Sequence, residues 1–252
     1  VPDPTAPPGS QHAESRRGGV VLELLTAAVA AIGPAPLRIV DAGGGTGGVA
    51  VPLAALGHEV LVVDPSPDAM VSLRRRAEER ADGSAARIRA VQGDLTELPE
   101  HVPAGGADVV VCHDVLAAVD DPDAALRAVA EALRPGGLAS VLVAGRGGAV
   151  LARALAGRFT AAAALLEGGG DPAPGRYEPA GLIAALGAAG LQVTATHAIR
   201  VFTDLVPGAL LEHDPAAPGA LAALERSVAS DPQFLPIAAR LHAFARRPDR
   251  PA

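Results

Sequence analysis

Leu37-Arg38-Ile39-Val40-Asp41-Ala42-Gly43-Gly44-Gly45-Thr46-Gly47-Gly48 is a short apolar run that passes directly into glycines. Leu37 to Asp41 has the length and content of a buried strand. Glycine at the turn lets the backbone take positive φ and lets a ligand approach the main chain closely. A helix starting near Gly48 would then offer its free N–H groups to that ligand. The stretch therefore predicts a strand, a ligand-cradling turn and a helix start, which is the opening unit of an alternating α/β fold.

The flanks repeat the pattern. Upstream, Val20 to Ile32 reads as a helix stopped by Gly33-Pro34-Ala35-Pro36. Downstream, Glu59–Asp64, Arg87–Gln92, Asp108–Cys112 and Leu138–Ala144 read as strands. Between them lie helices at Asp68–Arg80 and Asp123–Leu133, the second ended by Pro135-Gly136-Gly137. Beyond residue 145 the chain is Ala- and Gly-rich, predicted helical from Gly147 to Glu167, with a loop at Gly168–Gly175. A helix over Glu178–Ala189, a strand over Leu191–Arg200, a Pro-interrupted segment 203–236 holding a helix near Ala220–Ala229, and a strand over Leu241–Arg246 complete it. The prediction is a doubly wound, mostly parallel, seven-stranded α/β sheet.

Composition narrows the partners. With 252 residues, 49% of them hydrophobic, the chain can bury one large core. No apolar run is long enough to span a bilayer, Val1 to Arg17 lacks the order of a secretory signal, and Cys112 has no partner for a disulfide. The expected compartment is the cytoplasm, with no membrane partner. A net charge of −7 argues against a broad nucleic-acid surface. Four Phe, one Tyr and no Trp leave little surface for stacking bases. No His/Cys cluster has metal-ligand spacing, so no metal is expected.

The glycine turn fits two templates. Gly43-x-Gly45-x-x-Gly48, with Asp64 about 20 residues on, matches a dinucleotide site. Asp41-x-Gly43-x-Gly45-x-Gly47 matches the loop that binds S-adenosylmethionine in methyltransferases. Three features favour the second: Asp41 two residues before the first glycine, Gln92-Gly93-Asp94-Leu95 closing the third strand, and Leu133-Arg134-Pro135-Gly136-Gly137 before the fifth. The expected cofactor is S-adenosyl-L-methionine, contacted by Asp41, Gly43, Gly44, Gly45, Asp64, Gly93 and Asp94. Asp41 would orient the loop and the methionine amine, Asp64 would accept both ribose hydroxyls, and Asp94 would accept from the adenine amine. Ser66 is the better candidate for capping the helix that follows Asp64.

These residues, together with Gly57-His58-Glu59-Val60, Cys112-His113-Asp114-Val115-Leu116, Ile199-Arg200-Val201-Phe202-Thr203-Asp204 and Leu241–Pro248, resemble the bacterial methyltransferases that esterify 5-carboxymethoxyuridine in tRNA. The resemblance runs from about Arg17 to Pro248. It implies a Rossmann-like class I methyltransferase fold. It further implies that Arg17 holds the methionine carboxylate and that His113 lines the cofactor pocket. On this reading residues 1–16 are a disordered tail and residues 17–248 one domain. That domain comprises a cofactor-binding half (17–144), acceptor-side insertions (145–236) and a final strand (237–248).

On the acceptor side the chain departs from that family. Ala117-Ala118 stands where the family has a Glu-Trp pair, Glu167-Gly168-Gly169-Gly170-Asp171-Pro172 where it is basic, and Leu205 where it has an aromatic. The expected acceptor is therefore a small carboxylate- or hydroxyl-bearing molecule, with tRNA as the alternative. Arg200 is the candidate to grip an acidic acceptor. A carboxylate acceptor needs no base; for a hydroxyl or amine the candidates are His113 and Asp114, while His197 and His242 are expected on strands facing elsewhere. A nicotinamide-dependent oxidoreductase and a non-catalytic S-adenosylmethionine-binding protein are the competing readings.

Overall fold

The computed structural model of the protein describes residues 19–167 and 175–249. Its strands are β1 (Arg38–Ala42), β2 (Glu59–Asp64), β3 (Ile88–Gln92), β4 (Ala107–His113), β5 (Leu133–Gly145), β6 (Arg176–Tyr177), β7 (Gln192–Ile199) and β8 (Arg240–Arg246). Its helices are α1 (Gly19–Ile32), α2 (Ala50–Ala55), α3 (Pro67–Glu79), α4 (Leu98–His101), α5 (Pro122–Ala132), α6 (Arg146–Leu155), α7 (Phe159–Leu166), α8 (Pro179–Ala188), α9 (Gly208–His213) and α10 (Ala217–Val228).

The strand order is β3-β2-β1-β4-β5-β8-β7, with the two-residue β6 beside the end of β5. Among the described strands only β8 runs antiparallel to its neighbours. This is the expected mostly parallel α/β sheet. Chain order reverses between β1 and β4, where both strands point their carboxyl ends to one edge. Ligands of such sheets bind in the crevice outside that edge.

Alternation along each strand splits the core in two. On one face Val40, Val110, Cys112 and Val141 pack against α5 and α8 through Leu126, Val129, Leu182 and Leu186. On the other, Ile39, Val62, Val109 and Val111 meet α1, α2 and α3 through Leu25, Val29, Leu53 and Leu73. Val21, Leu25 and Val29 recur every fourth residue on α1 and are its buried stripe. Burying a side chain of this size stabilises by roughly 1.5–3 kcal/mol. Ser66 caps α3 as expected, accepting from the Ala69 N–H at 3.3 Å, and Pro67 occupies the first turn.

Three segments differ from expectation. The helix foreseen over 147–167 is two, α6 and α7, because Gly157 turns left-handed at φ +73° and ends the first. The Pro-interrupted segment gains α9, which starts directly after Pro207. Pro135-Gly136-Gly137 lies within β5 as a register irregularity between Ala107 and Val109 of β4, so the turn is part of the ladder. Arg17, the tail 1–16 and residues 168–174 lie outside the described residues. Among the described residues no helix is long and apolar enough to cross a membrane.

Candidate functional site at the carboxyl edge of the sheet

The turn after β1 is built on glycine because no other residue fits. Gly43, Gly45 and Gly47 have φ of +72°, +53° and +80°. A Cβ on Gly43 would overlap the Val115 side chain, and one on Gly44 would come within 2.6 Å of the Asp41 carboxylate. The Gly43 N–H donates to the Val63 carbonyl at 2.7 Å, tying the turn to β2.

Two carboxylates flank this turn. Asp64 ends β2; its Oδ2 accepts from the Gly45 N–H at 2.8 Å and its Oδ1 from the Ser66 N–H at 2.9 Å. Asp41 is 2% exposed, and its Oδ2 is buried without a hydrogen-bond partner among the described residues. Burial pushes its carboxyl up to about 7, against an opposing hydrogen bond from the Ala50 N–H and with help from the nearby Asp64 charge. Buried polar atoms are as a rule hydrogen-bonded, so this oxygen marks a place where a further donor fits. Gly93 and Asp94 follow β3. A Cβ on Gly93 would meet the His101 ring, and Asp94 Oδ1 accepts from the Thr96 N–H and hydroxyl at 2.9 Å. Asp94 thus caps the 3-10 turn Leu95–Glu97, a role independent of any adenine contact.

His113 and Asp114 stand at the end of β4. His113 is half-buried, its Nε2 is 2.8 Å from Ser140 Oγ, and burial pulls its imidazole down to about 4. Asp114 has left-handed φ (+57°) and an ion pair with Arg240 at 2.9 Å. Arg200, also left-handed (+58°), pairs with Asp204. Arg200 and Arg240 open into a cavity of about 410 Å³, shared with Arg153, Arg158 and Arg176, in which Asp204 is the only acid among the described lining residues. Five arginines from four separate segments thus converge on one cavity of a chain whose net charge is −7. The missing basic run near Gly168 does not leave this side uncharged. Gly175 packs so tightly on Ala117 that no side chain fits there.

Sequence reasoning missed several residues. His197 and His242, expected to face elsewhere, share the sheet face of His113 and reach it through Ser140. The lone polar Ser140 in an apolar strand was the available signal. Glu225 on α10 is buried; it accepts from the Val201, Phe202 and Thr203 N–H groups and from the Thr203 hydroxyl at 2.7–3.0 Å. It anchors the turn that follows Arg200. With more than 20 residues between the partners, nothing local announced it.

Residues 40–139 match a methyltransferase domain family. The chain is 27% identical to the tRNA 5-carboxymethoxyuridine methyltransferase of Escherichia coli over 92% of its own length and 88% of that protein. It is 33% identical to a ubiquinone biosynthesis O-methyltransferase of Xanthomonas axonopodis over 64% of this chain and 64% of that one. Among solved structures, magnesium protoporphyrin IX methyltransferase from Synechocystis with bound SAH shares the fold, with a TM-score of 0.63 at 18% identity over 98% of this chain and 90% of that chain. These matches resolve the two templates of the glycine turn against the nicotinamide reading. The chain is a class I S-adenosylmethionine-dependent methyltransferase that resembles the tRNA 5-carboxymethoxyuridine methyltransferases.

Proposed function

We propose that this methyltransferase acts on a small anionic acceptor bearing a carboxylate or hydroxyl, gripped by the arginine cavity beside β5. The observation that carries this reading is the convergence of Arg153, Arg158, Arg176, Arg200 and Arg240 on one pocket. Guanidinium forks suit carboxylates and phosphates, and a cavity of this size suits a small molecule.

On the cofactor side, S-adenosylmethionine supplies an electrophilic methyl group on a sulfonium, a leaving group that needs no acid. The residues present fit it. Asp64 would accept from the ribose hydroxyls, and Asp41, whose buried Oδ2 lacks a partner among the described residues, would accept from the methionine ammonium. Gly43, Gly44 and Gly45 keep side chains out of the way. Gly93 and Asp94 would border the adenine, and His113 would line the cofactor pocket. Arg17 is assigned the methionine carboxylate by resemblance alone. What remains for the protein is to align the acceptor and exclude water.

Intact tRNA is the second reading, favoured by the 27% relative aligned over 88% of its length. Each phosphate held by a protein adds counterion release and salt sensitivity. The test is incubation with labelled methyl donor and either bulk tRNA carrying carboxymethoxyuridine or a set of hydroxy-carboxylic acids, at low and physiological salt. Label in the small acids alone is expected. Nuclease-sensitive label in tRNA at both salts would replace this reading with the second.

A further inference from the structure

Four polar side chains cross the sheet in one line. His113 on β4, Ser140 on β5, His242 on β8 and His197 on β7 occupy successive strands. His113 Nε2 is 2.8 Å from Ser140 Oγ, Ser140 Oγ is 2.9 Å from His242 Nε2, and His242 Nδ1 is 3.0 Å from His197 Nδ1. Ser140 and His242 are fully buried and His197 is 5% exposed. The outer nitrogens, His113 Nδ1 and His197 Nε2, hydrogen-bond to none of the described residues. Their neighbours on this face, Val111, Leu138 and Phe244, are apolar. A sheet interior needs no such line, since polar groups there cost free energy unless every one is paired.

The bonds are directionally coupled. Each inner pair shares one hydrogen, so two neutral arrangements satisfy the whole line. In the first, His113 Nε2 donates to Ser140, the Ser140 hydroxyl donates to His242 Nε2, and His242 Nδ1 donates to His197 Nδ1. His113 Nδ1 is then a bare lone pair and His197 Nε2 carries a hydrogen. In the second every bond is reversed. A proton arriving at His113 Nδ1 converts the first into the second and releases one from His197 Nε2, leaving no imidazolium behind. That matters here because burial holds all three rings below the ordinary histidine range, His242 further lowered by its two neighbours. A proton stored on any one ring is costly; a proton passed along is not.

His113 is at the right place to receive it. Asp41 is the register partner of Val111, two residues before His113, so Asp41 and His113 share a face beside the glycine turn. We infer that the His113–Ser140–His242–His197 line is a proton conduit for methyl transfer, and that the methylated atom is a hydroxyl oxygen. The inference rests on the anionic-acceptor reading and deepens it. The arginines hold the acceptor's charge, and a separate hydroxyl faces His113. The acceptor's O–H bond is replaced by an O–CH3 bond, and the sulfonium keeps the electron pair of its broken C–S bond as a neutral thioether. The hydroxyl proton enters at His113 Nδ1 while another leaves His197 Nε2 to bulk water, which takes up the proton at the residual exposure of His197. An ionised carboxylate has no proton to give and needs no conduit.

The test has one arm that needs no acceptor. In protein labelled with 15N-histidine and saturated with S-adenosylhomocysteine, NMR should find one neutral tautomer at each site: Nε2–H on His113, Nδ1–H on His242 and Nε2–H on His197. His197→Phe, which keeps a ring on the strand, and Ser140→Ala should each release His113 from its single tautomer, while Ser140→Thr restores it. A His113 tautomer indifferent to His197→Phe, in variants whose melting shows them folded, would overturn the conduit. The second arm uses 3,4-dihydroxybenzoate and labelled methyl donor. The methyl ether is expected, with kcat falling about 10- to 100-fold in Ser140→Ala at unchanged S-adenosylhomocysteine affinity. A methyl ester would overturn the hydroxyl assignment. No product at all counts against the anionic-acceptor reading, while the NMR arm still decides the conduit.

Discussion

Burial of the Asp41 carboxyl makes the stability of the fold depend on pH. The carboxyl, raised by burial from an ordinary 3.8 to about 7, makes the folded state favour the protonated form. Stability from this group is therefore full below pH 3.8, declines as pH rises towards 7, and is flat above. The whole decline amounts to at most about 4 kcal/mol. Asp41→Asn should remove it, so that the ligand-free variant outlasts the wild type in thermal melts at pH 8 and matches it at pH 4. The same variant should bind S-adenosylmethionine at least about tenfold more weakly by calorimetry, since one charge-assisted bond contributes roughly 1.5–3 kcal/mol. A variant with the wild type's pH profile would show that Asp41 is not held protonated. At Gly43, Val should fail twice, by its left-handed φ and by collision with Val115. We expect a loss of about 1–3 kcal/mol from the overlap alone, part of which Val115→Ala should return in a double-mutant melt. The conformation of the glycine turn was legible in the sequence because it depends on the local backbone. Ser140 was not, because its partners come from two other strands.

At the scale of elements, α10 matters through one side chain. Glu225 satisfies three backbone N–H groups and one hydroxyl at the turn after β7, and that turn sets the direction of Arg200. Glu225→Ala leaves buried donors unpaired and should cost about 3 kcal/mol or more in denaturant melts. S-adenosylhomocysteine affinity should be unchanged, because the glycine turn and Asp64 lie across the sheet. Acceptor KM should rise. A variant that loses cofactor and acceptor affinity equally would show that α10 supports the sheet as a whole rather than the Arg200 turn. The alternation of strand and helix up to β5 was readable because each element carries its own apolar pattern and stop signal. The split into α6 and α7 was not, since one Gly157 inside an Ala-rich run permits a break without requiring it.

For the molecule as a whole, ligand linkage is the broadest test of the cofactor site. S-adenosylmethionine or S-adenosylhomocysteine at about 100 times Kd should stabilise the fold by roughly 2.7 kcal/mol, and NAD should not. A shift in melting temperature with NAD alone would count against the site. Charge is distributed unevenly: −7 overall, yet five arginines surround one cavity. Net charge weighs all residues equally, whereas a bound anion responds to those within a Debye length of about 8–10 Å. The argument from composition against a broad nucleic-acid surface therefore concerns the surface as a whole, not this pocket.

The order of apolar runs and the glycines after β1 carried the fold and the shape of the glycine turn in the chain itself, because hydrophobic periodicity and backbone conformation are properties of neighbouring residues. Tertiary structure alone decided what meets across the sheet. Arg153, Arg158, Arg176, Arg200 and Arg240 become one cavity, and His113, Ser140, His242 and His197 become one hydrogen-bonded line. The reversed β8, set between β5 and β7, brings residues about 45 and 100 positions away into contact. No local pattern specifies such a contact, because its free energy exists only once the strands are paired.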